Sequence, residues 1–174
     1  ESLQALIDGV WPELVRLANR IVLTPGVKNM RLWPKPDHVG AIYYPSATGC
    51  NPWGFSCWQP IYYYGKDPFG GKGSRPDSFQ STEPAKPNGH PCPKPIGQMK
   101  TIMQRVSNES DLILDPFCGS GTTCVAAELL GRKWIGIELD PNYCQIARDR
   151  IEAAKQNMTV KELKQGQMSF LEGE

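Results

Sequence analysis

The feature that most constrains this chain is a glycine-containing loop between an apolar run and a helical pattern. The apolar run is residues 112–114, the loop is residues 115–123 (Asp-Pro-Phe-Cys-Gly-Ser-Gly-Thr-Thr), and the helical pattern continues to residue 130. A strand, a glycine loop and a helix N-terminus in this order form a ligand-binding turn in α/β proteins. Gly119 and Gly121 allow a tight turn and a close approach of the backbone to a ligand. The order therefore predicts a nucleotide-type cofactor site.

The residues after the loop predict a parallel βαβ unit. Residues 134–137 form a second apolar run, and Asp140-Pro141 begins a second helical pattern with an acidic N-cap and a proline in the first helical position. Strand, helix, strand and helix at this spacing predict parallel strands joined by a right-handed crossover. The predicted fold class is therefore α/β with an open, mostly parallel sheet. Further strands are predicted at residues 21–24, 39–44 and 61–64.

The rest of the chain is less regular. Apolar residues recur at helical spacing over residues 3–18, and Pro12 predicts a break between two short helices. Residues 65–95 are rich in proline and glycine and poor in aliphatic side chains, which predicts a long loop or insertion. The polar C-terminal residues, from 155 onward, predict a frayed end. The expected organisation is a single domain over residues 1–174, with an insertion at residues 65–95 and a cofactor-binding βαβ region at residues 96–155.

The charges around the loop indicate which cofactor it holds. Asp115 lies at the mouth of the loop, where a carboxylate would repel a pyrophosphate and attract a cation. S-adenosylmethionine carries an ammonium and a sulfonium but no phosphate, and its carboxylate suits the amides of residues 120–122 at the helix N-terminus. Glu138 follows the second strand, at the position of an acid that holds a ribose diol by two hydrogen bonds. Leu139 and Asp140 would border the adenine.

Composition argues against several other classes of protein. The formal net charge is +1, so there is no overall basic field, and any nucleic-acid surface must be a local patch. No apolar run reaches the length of a membrane span and no signal-peptide layout is present, so we expect a cytoplasmic protein without membrane contact. The six cysteines form no C-x-x-C pair and neither of the two histidines lies at zinc spacing from them, so we expect free thiols and no metal.

Three stretches of the sequence together carry a family resemblance. They are residues 90–95 (His-Pro-Cys-Pro-Lys-Pro), residues 115–123, and residues 131–143 (Gly-Arg-Lys-Trp-Ile-Gly-Ile-Glu-Leu-Asp-Pro-Asn-Tyr). They resemble motifs X, I and II of the DNA amino-methyltransferases of phages and bacteria, which modify N6 of adenine or N4 of cytosine. The resemblance implies a Rossmann-like S-adenosylmethionine-dependent methyltransferase fold. It also implies a set of cofactor-binding residues, namely Lys94, Pro95, Asp115, Phe117, Cys118, Gly119, Ser120, Gly121, Thr122, Thr123, Glu138, Leu139 and Asp140.

The order of these motifs resembles the permuted class, in which the catalytic motif comes first. The family's catalytic loop is Asp, Asn or Ser followed by Pro-Pro and an aromatic residue, and no such tetrapeptide occurs here. In the permuted class that loop would precede residue 1. We therefore expect the C-terminal portion of a longer enzyme, with a fold incomplete at the N-terminus, or a degenerate relative. Because the loop accepts the protons of a poorly nucleophilic amine, this chain alone is expected to be inactive, and no catalytic residue is assigned.

Residues 65–94 are the expected target-recognition region. The candidate DNA-binding residues are Lys66, Lys72, Arg75 and Lys86 for phosphates, and His90 or Arg75 for base edges. Trp53, Phe55 and Trp58 either stack on a base or pack in the core. The expected partner is double-stranded DNA, and a cognate restriction enzyme and a second copy of the chain are further candidates. An RNA or protein-amide methyltransferase and a non-catalytic cofactor- or DNA-binding remnant are the alternatives.

Overall fold

A computed structural model of the protein describes residues 2–46, 49–70, 72, 75–83, 88–89 and 93–171. The chain divides into two compact units, Glu1–Thr82 and Glu83–Glu174. The boundary between the units falls inside residues 65–95, and the assignment of all 174 residues to one domain stays a prediction.

The first unit contains a helix, a four-stranded sheet and a small hairpin. Its elements in chain order are α1 (Leu3–Leu17), β1 (Arg20–Leu23), a 3₁₀ helix (Val27–Leu32), β2 (His38–Tyr43), β3 (Cys50–Asn51), β4 (Gly54–Phe55), β5 (Trp58–Gly65) and β6 (Phe79–Gln80). The strand order of the sheet is β1-β5-β2-β6, and β3 pairs with β4. Ile7 of α1, Ile42 of β2 and Ile61 of β5 are almost fully buried, so the helix and the sheet each contribute to the core.

Strand directions in this sheet differ in part from the prediction. β5 runs antiparallel to both β1 and β2, so β1 and β2 point the same way, with Leu23 and Val39 both opposite Tyr62 of β5. β6 then pairs with β2 in parallel. The α/β class is confirmed, but two of the three pairings are antiparallel where the sequence predicts mostly parallel strands. The reason is that β2 reaches β5 through the short β3–β4 hairpin rather than through a helical crossover.

The second unit contains the βαβ region. Its elements are α2 (Ile96–Val106), β7 (Leu112–Asp115), α3 (Thr122–Leu129), β8 (Lys133–Gly136), α4 (Pro141–Lys155) and α5 (Val160–Leu171). β7 and β8 pair in parallel, with Asp115 opposite Gly136 at their carboxyl ends. Helix α3 lies at the centre of the core, because Ala127 is buried with Met103 of α2 and Val125 is buried with Ile151 of α4. The predicted strand–helix–strand–helix order is confirmed.

The predicted break at Pro12 is wrong, because α1 continues through it from Leu3 to Leu17. Proline costs a helix one backbone hydrogen bond, but the packing of residues that precede it compensates. Ile7 is 2% exposed. The Trp11 ring meets the Tyr64 ring edge-on, with centroids 4.7 Å apart. Tertiary contacts therefore override the local signal.

The prediction of a frayed C-terminal end is also wrong over Val160–Leu171, because helix α5 forms there, and residues 172–174 lie outside the described residues. The start of α5 is a capping box between Thr159 and Glu162. The Glu162 N–H donates to Thr159 Oγ1 at 3.2 Å, and the Thr159 N–H donates to Glu162 Oε2 at 2.7 Å. Lys164 of α5 also lies 2.9 Å from the Asp149 carboxylate of α4. Polar composition is compatible with a helix when its ends are satisfied in this way.

Three further properties of the described residues concern the classes of protein against which the composition argues. None of their helices is long and apolar enough to cross a membrane. Cys50, Cys57, Cys118, Cys124 and Cys144 are free thiols, and Cys92 lies outside the described residues. Within the same part of the chain, no cluster of three or more histidine, cysteine, aspartate or glutamate side chains is arranged to hold a metal ion.

Candidate cofactor-binding site

The glycine loop joins β7 to α3 and is hydrogen-bonded to the segment that follows β8. The Cys118 N–H donates to the Ile137 carbonyl at 2.9 Å, and the Ile137 N–H donates to the Asp115 carbonyl at 2.9 Å. Gly119 and Gly121 have φ angles of 52° and 77°, in the left-handed region that favours glycine. The loop and the segment that carries Glu138 therefore lie side by side at the carboxyl ends of the parallel strands, where α/β sheets bind ligands.

Gly121 also lets α3 begin in contact with α4. A Cβ atom at position 121 would lie 2.8 Å from the Ala147 Cβ and 3.1 Å from the Ala147 Cα. Both distances are shorter than a normal contact between carbon atoms, which is about 3.5–4.0 Å. The close approach of the two helices therefore depends on glycine at 121 and a small residue at 147.

The carboxylate of Glu138 is held by three backbone N–H groups. Oε2 accepts from Gly119 at 2.9 Å, and Oε1 accepts from Leu139 at 2.8 Å and from Asp140 at 2.9 Å. The Asp140 N–H, with further help from those of Gly119 and Leu139, lowers the pKa of Glu138 below its usual value and outweighs the effect of burial. A carboxylate oxygen accepts about two hydrogen bonds. Oε1 is therefore saturated, and Oε2 has room for one more donor.

Asp115 is the second carboxylate beside the loop. Its Oδ1 accepts from the Phe117 N–H at 3.0 Å, which fixes the side chain at the end of β7. Its Oδ2 has no hydrogen-bond partner among the residues that the structure describes. One oxygen of Asp115 is thus oriented by the loop and the other is available to a ligand.

Two thiols lie next to these carboxylates. Burial raises the pKa of the Cys118 thiol, and the charges of Asp115 and Glu138 raise it further. Burial also raises the pKa of Cys124, which neighbours Cys118, to about 12. Both groups are therefore neutral thiols at neutral pH. Both acids flank the same loop, because Asp115 accepts from the Phe117 N–H and Glu138 accepts from the Gly119 N–H.

Arg150 of α4 is a site residue that the sequence did not single out. Its Nη1 donates to the Ser120 carbonyl, to Ser120 Oγ at 2.9 Å and to Thr122 Oγ1 at 3.2 Å. Burial lowers the pKa of Arg150, and Ser120 and Thr122 are 4% and 6% exposed. The arginine therefore holds the buried side of the loop through a single nitrogen.

A sequence signal for Arg150 was present. The predicted buried stripe of this helix is Tyr143, Ile146, Ala147 and Ile151. Position 150 lies seven residues after Tyr143 and three after Ala147, which places it on the same helix face. A cation in a buried stripe needs a partner, and this requirement points to a polar loop packed against the helix.

The other predicted cofactor residues lie in the loop, at the starts of α3 and α4, and in the segment that precedes α2. Asp140 is the N-cap of α4, as predicted, and its Oδ1 accepts from the Asn142 N–H at 2.7 Å. Leu139 is 95% exposed and Phe117 is 56% exposed, so both side chains are open to solvent. Lys94 is half-buried and Pro95 is buried, immediately before α2. Thr122 and Thr123 are the first residues of α3, where the N–H groups have no acceptor within the helix.

The predicted DNA-binding residues are only partly described. Lys66, Lys72 and Arg75 are exposed, and Lys86 and His90 lie outside the described residues. The Arg75 guanidinium stacks over the Phe69 ring, 3.9 Å from its centroid. Stacking uses the face of the guanidinium and leaves its N–H groups available. The segment is not wholly irregular, because Phe79–Gln80 forms the edge strand β6.

Three comparisons with known proteins agree. A family model described as DNA methylase, of the N6/N4 type, matches residues 7–149. The chain is 50% identical to the type II methyltransferase M2.DpnII of Streptococcus pneumoniae over 64 aligned residues. These residues are 37% of this chain and 24% of that protein. The chain is 39% identical over 85 residues to the DNA adenine methyltransferase YhdJ of Escherichia coli strain K12, over 46% of this chain and 29% of that protein. The crystal structure of the M1.HpyAVI–SAM complex matches with a TM-score of 0.62 at 22% identity, over 87% of this chain and 83% of that chain.

The chain belongs to the N6/N4 DNA methylase family, because the family model matches most of its length. The structural match shows the fold, and the predicted methyltransferase fold is confirmed. The chain spans less than a third of the length of either curated relative.

Proposed function

We propose that this chain binds S-adenosylmethionine through residues 115–123 and Glu138, and that it serves methylation of an exocyclic amine in DNA, N6 of adenine or N4 of cytosine. The observation that carries the proposal is the hydrogen bond from the Gly119 N–H to Glu138 Oε2, since it joins the two predicted parts of the cofactor site. Family membership supports a DNA amine as the methyl acceptor. A DNA substrate in turn implies the cytoplasm as the compartment.

The charged and polar parts of this cofactor have complementary groups in the second unit. The available Oδ2 of Asp115 suits the ammonium, and the N–H groups at the start of α3 suit the carboxylate. Oε2 of Glu138 has room for one ribose hydroxyl, where the sequence predicts two such bonds. In this arrangement Leu139 and Asp140 border the adenine, while Lys94 and Pro95 lie towards the methionine end.

The two carboxylates argue against a cofactor that carries phosphates. Asp115 accepts from the Phe117 N–H and Glu138 accepts from the Gly119 N–H, so both negative charges lie at the loop. A pyrophosphate bound there would be repelled by both carboxylates, whereas a sulfonium or an ammonium would be stabilised by both. This reasoning favours S-adenosylmethionine over NAD or ATP.

When bound, the cofactor would supply an electrophilic methyl group attached to a sulfonium. The residues of this chain would orient it, which matters because displacement requires the amine nitrogen, the methyl carbon and the sulfur in line. They would also limit the unwanted methylation of the Cys118 thiol by the cofactor. The raised pKa of Cys118 keeps the thiol of the loop protonated, and a thiol is a much weaker nucleophile than a thiolate.

Isothermal titration calorimetry on the chain tests the cofactor. S-adenosylmethionine and S-adenosylhomocysteine are expected to bind, and Gly119→Asp and Glu138→Ala are each expected to abolish detectable binding. The first variant places a side chain and a third negative charge on left-handed backbone, and the second removes the acceptor of the Gly119 N–H. Glu109→Ala, at an exposed acid of the same unit, is the matched control and should bind normally. Binding of NADH without binding of either methionine derivative would refute the assignment.

The 174-residue chain by itself is expected to transfer no methyl group to DNA above background. Its sequence contains no Asp, Asn or Ser followed by Pro-Pro and an aromatic residue, so the groups that accept the amine protons in the family are missing. Transfer of a tritiated methyl group to duplex DNA measures this directly. Clear incorporation would show that the catalytic groups are present in another form. Incorporation into RNA or a peptide amide instead would favour one of the alternative acceptors.

A further inference from the structure

An exposed aromatic surface in the first unit has no role in the site described above. Trp53 is 99% exposed and Phe55 is 74% exposed, and the adjoining strand ends add Tyr43 at 49% and Trp58 at 42%. We call these four residues the aromatic hairpin, because Trp53 and Phe55 belong to the β3–β4 hairpin and the other two flank it. A tryptophan that is almost completely exposed gains nothing from folding, so its presence calls for a partner.

The hairpin holds Trp53 in a defined position. Asn51 Oδ1 accepts from the Trp53 N–H at 2.8 Å and closes the turn, while Asn51 Nδ2 donates to Ser56 Oγ at 3.1 Å. The Ser56 N–H also donates to the Gly49 carbonyl at 2.8 Å at the base of the hairpin. The indole is therefore presented on an ordered turn, and little conformational freedom is lost when it inserts into a partner.

The position of the hairpin in the sheet is informative. Tyr43 ends β2 and pairs with Trp58 at the start of β5, and the hairpin lies between them in the chain. β2 and its parallel partner β6 both end here, because their last residues, Tyr43 and Gln80, lie opposite each other. The hairpin therefore extends from the carboxyl ends of two parallel strands, the side on which α/β sheets place their ligands.

The charge around the hairpin indicates which part of a nucleic acid it fits. Residues 45–60 contain no aspartate, glutamate, lysine or arginine. Such a surface offers no cation to a phosphate, so it is unsuited to the DNA backbone, but a planar indole matches the faces of stacked bases. Enzymes that extrude a base also leave a gap in the stack, and apolar wedges are known to enter the stack at such steps.

We propose that Trp53 inserts between neighbouring base pairs of duplex DNA, with Phe55 beside it as part of the same apolar wedge. This inference rests on the proposed function, because it takes DNA as the substrate. It assigns to the first unit a contact with bases that does not depend on the phosphate-binding cations of residues 65–94.

Fluorescence anisotropy with a short labelled duplex tests the proposal on the full chain. Trp53→Ala is expected to weaken duplex binding about tenfold or more, and Trp53→Phe should lose only about threefold because it keeps an aromatic face. Leu17→Ala, at another exposed apolar residue of the same unit, is the matched control and should bind like the parent chain. The slope of log affinity against log salt should be unchanged in Trp53→Ala, since no charge is lost. A duplex carrying 2-aminopurine should brighten with the parent chain, as the base unstacks, and not with Trp53→Ala.

Several results would overturn this inference, and calorimetry with S-adenosylmethionine on the same samples separates them from failure of the proposed function. If Trp53→Ala binds duplex as the parent does while the cofactor binds both, the wedge is wrong and the cofactor site stands. If Trp53→Ala instead changes the oligomeric state in size-exclusion chromatography without changing duplex binding, the partner is a second copy of the chain. If the parent binds the cofactor but no DNA, both the wedge and the DNA substrate are wrong.

Discussion

Replacing Arg150 by alanine is expected to weaken S-adenosylmethionine binding roughly ten- to a hundredfold, because hydrogen bonds from a charged donor contribute about 1.5–3 kcal/mol. The substitution removes every contact from Nη1 to Ser120 and Thr122, so the Ser120 carbonyl and Thr122 Oγ1 lose this charged donor, while Ser120 Oγ keeps Asn88 Nδ2 as a donor at 3.2 Å. The start of α3 then loses the bonds that orient its N–H groups. Calorimetry measures the change in affinity, and circular dichroism checks that the helices remain.

Two variants separate this role from a general effect of charge. Arg148→Ala removes an exposed arginine from the same helix and should leave the affinity unchanged. Arg150→Lys should recover part of the loss, because the hydrogen bonds of Arg150 to Ser120 and Thr122 all come from one nitrogen, which an ammonium can replace. Equal affinities for Arg150→Ala and the parent chain would show that the loop holds its shape without the arginine.

Gly121→Ala is expected to lower the free energy of unfolding by about 2–4 kcal/mol. Two effects add, because alanine is strained on left-handed backbone and its methyl group would overlap α4. The φ angle of Gly121 is 77°, and the new methyl group would lie 2.8 Å from the Ala147 Cβ. Urea denaturation followed by circular dichroism measures the change. The contact between α3 and α4 is the part of the fold that it weakens.

Gly131→Ala isolates the backbone contribution. Its φ angle is 68°, but no atom lies within 4 Å of the position that its Cβ would occupy. The free energy of unfolding of this variant should fall by only about 1 kcal/mol. Because the larger loss in Gly121→Ala also includes steric overlap with Ala147, adding Ala147→Gly to that variant should restore part of its free energy of unfolding. Equal losses of unfolding free energy in Gly121→Ala and Gly131→Ala would mean that α3 and α4 move apart without loss of stability.

The local structure that the sequence predicts correctly at the candidate site depends on short-range signals. Gly119 and Gly121 adopt left-handed backbone within one turn, and Asp140 caps the helix that begins at the next residue. To predict the contact between Glu138 and the loop, one further inference is needed. Parallel strands end at the same edge of a sheet, so residues that follow two neighbouring strands become neighbours.

The parts that were missed depend on partners far away in the chain or on a signal that composition concealed. Arg150 contacts residues 28 and 30 positions earlier, and no spacing rule connects them. The packing of Trp11 against Tyr64 holds α1 intact through Pro12, and the sequence gives no indication of that contact. By contrast, Thr159 and Glu162 are a readable T-x-x-E capping signal, which the polar character of the C-terminal residues outweighed.

The hydrogen bonds of Gly119 and Arg150 join parts of the protein to one another, and this has a consequence for binding. A loose glycine loop would lose conformational entropy when it closed on a ligand, about 1–2 kcal/mol for each residue that becomes fixed. Here Glu138 fixes Gly119 and Arg150 fixes Ser120 and Thr122 through bonds that belong to the fold, so the entropy of ordering these residues is a cost of folding rather than of binding. Affinity and fold stability thus depend on the same bonds. At these residues, a substitution that lowers the stability of the fold also lowers the affinity for the ligand.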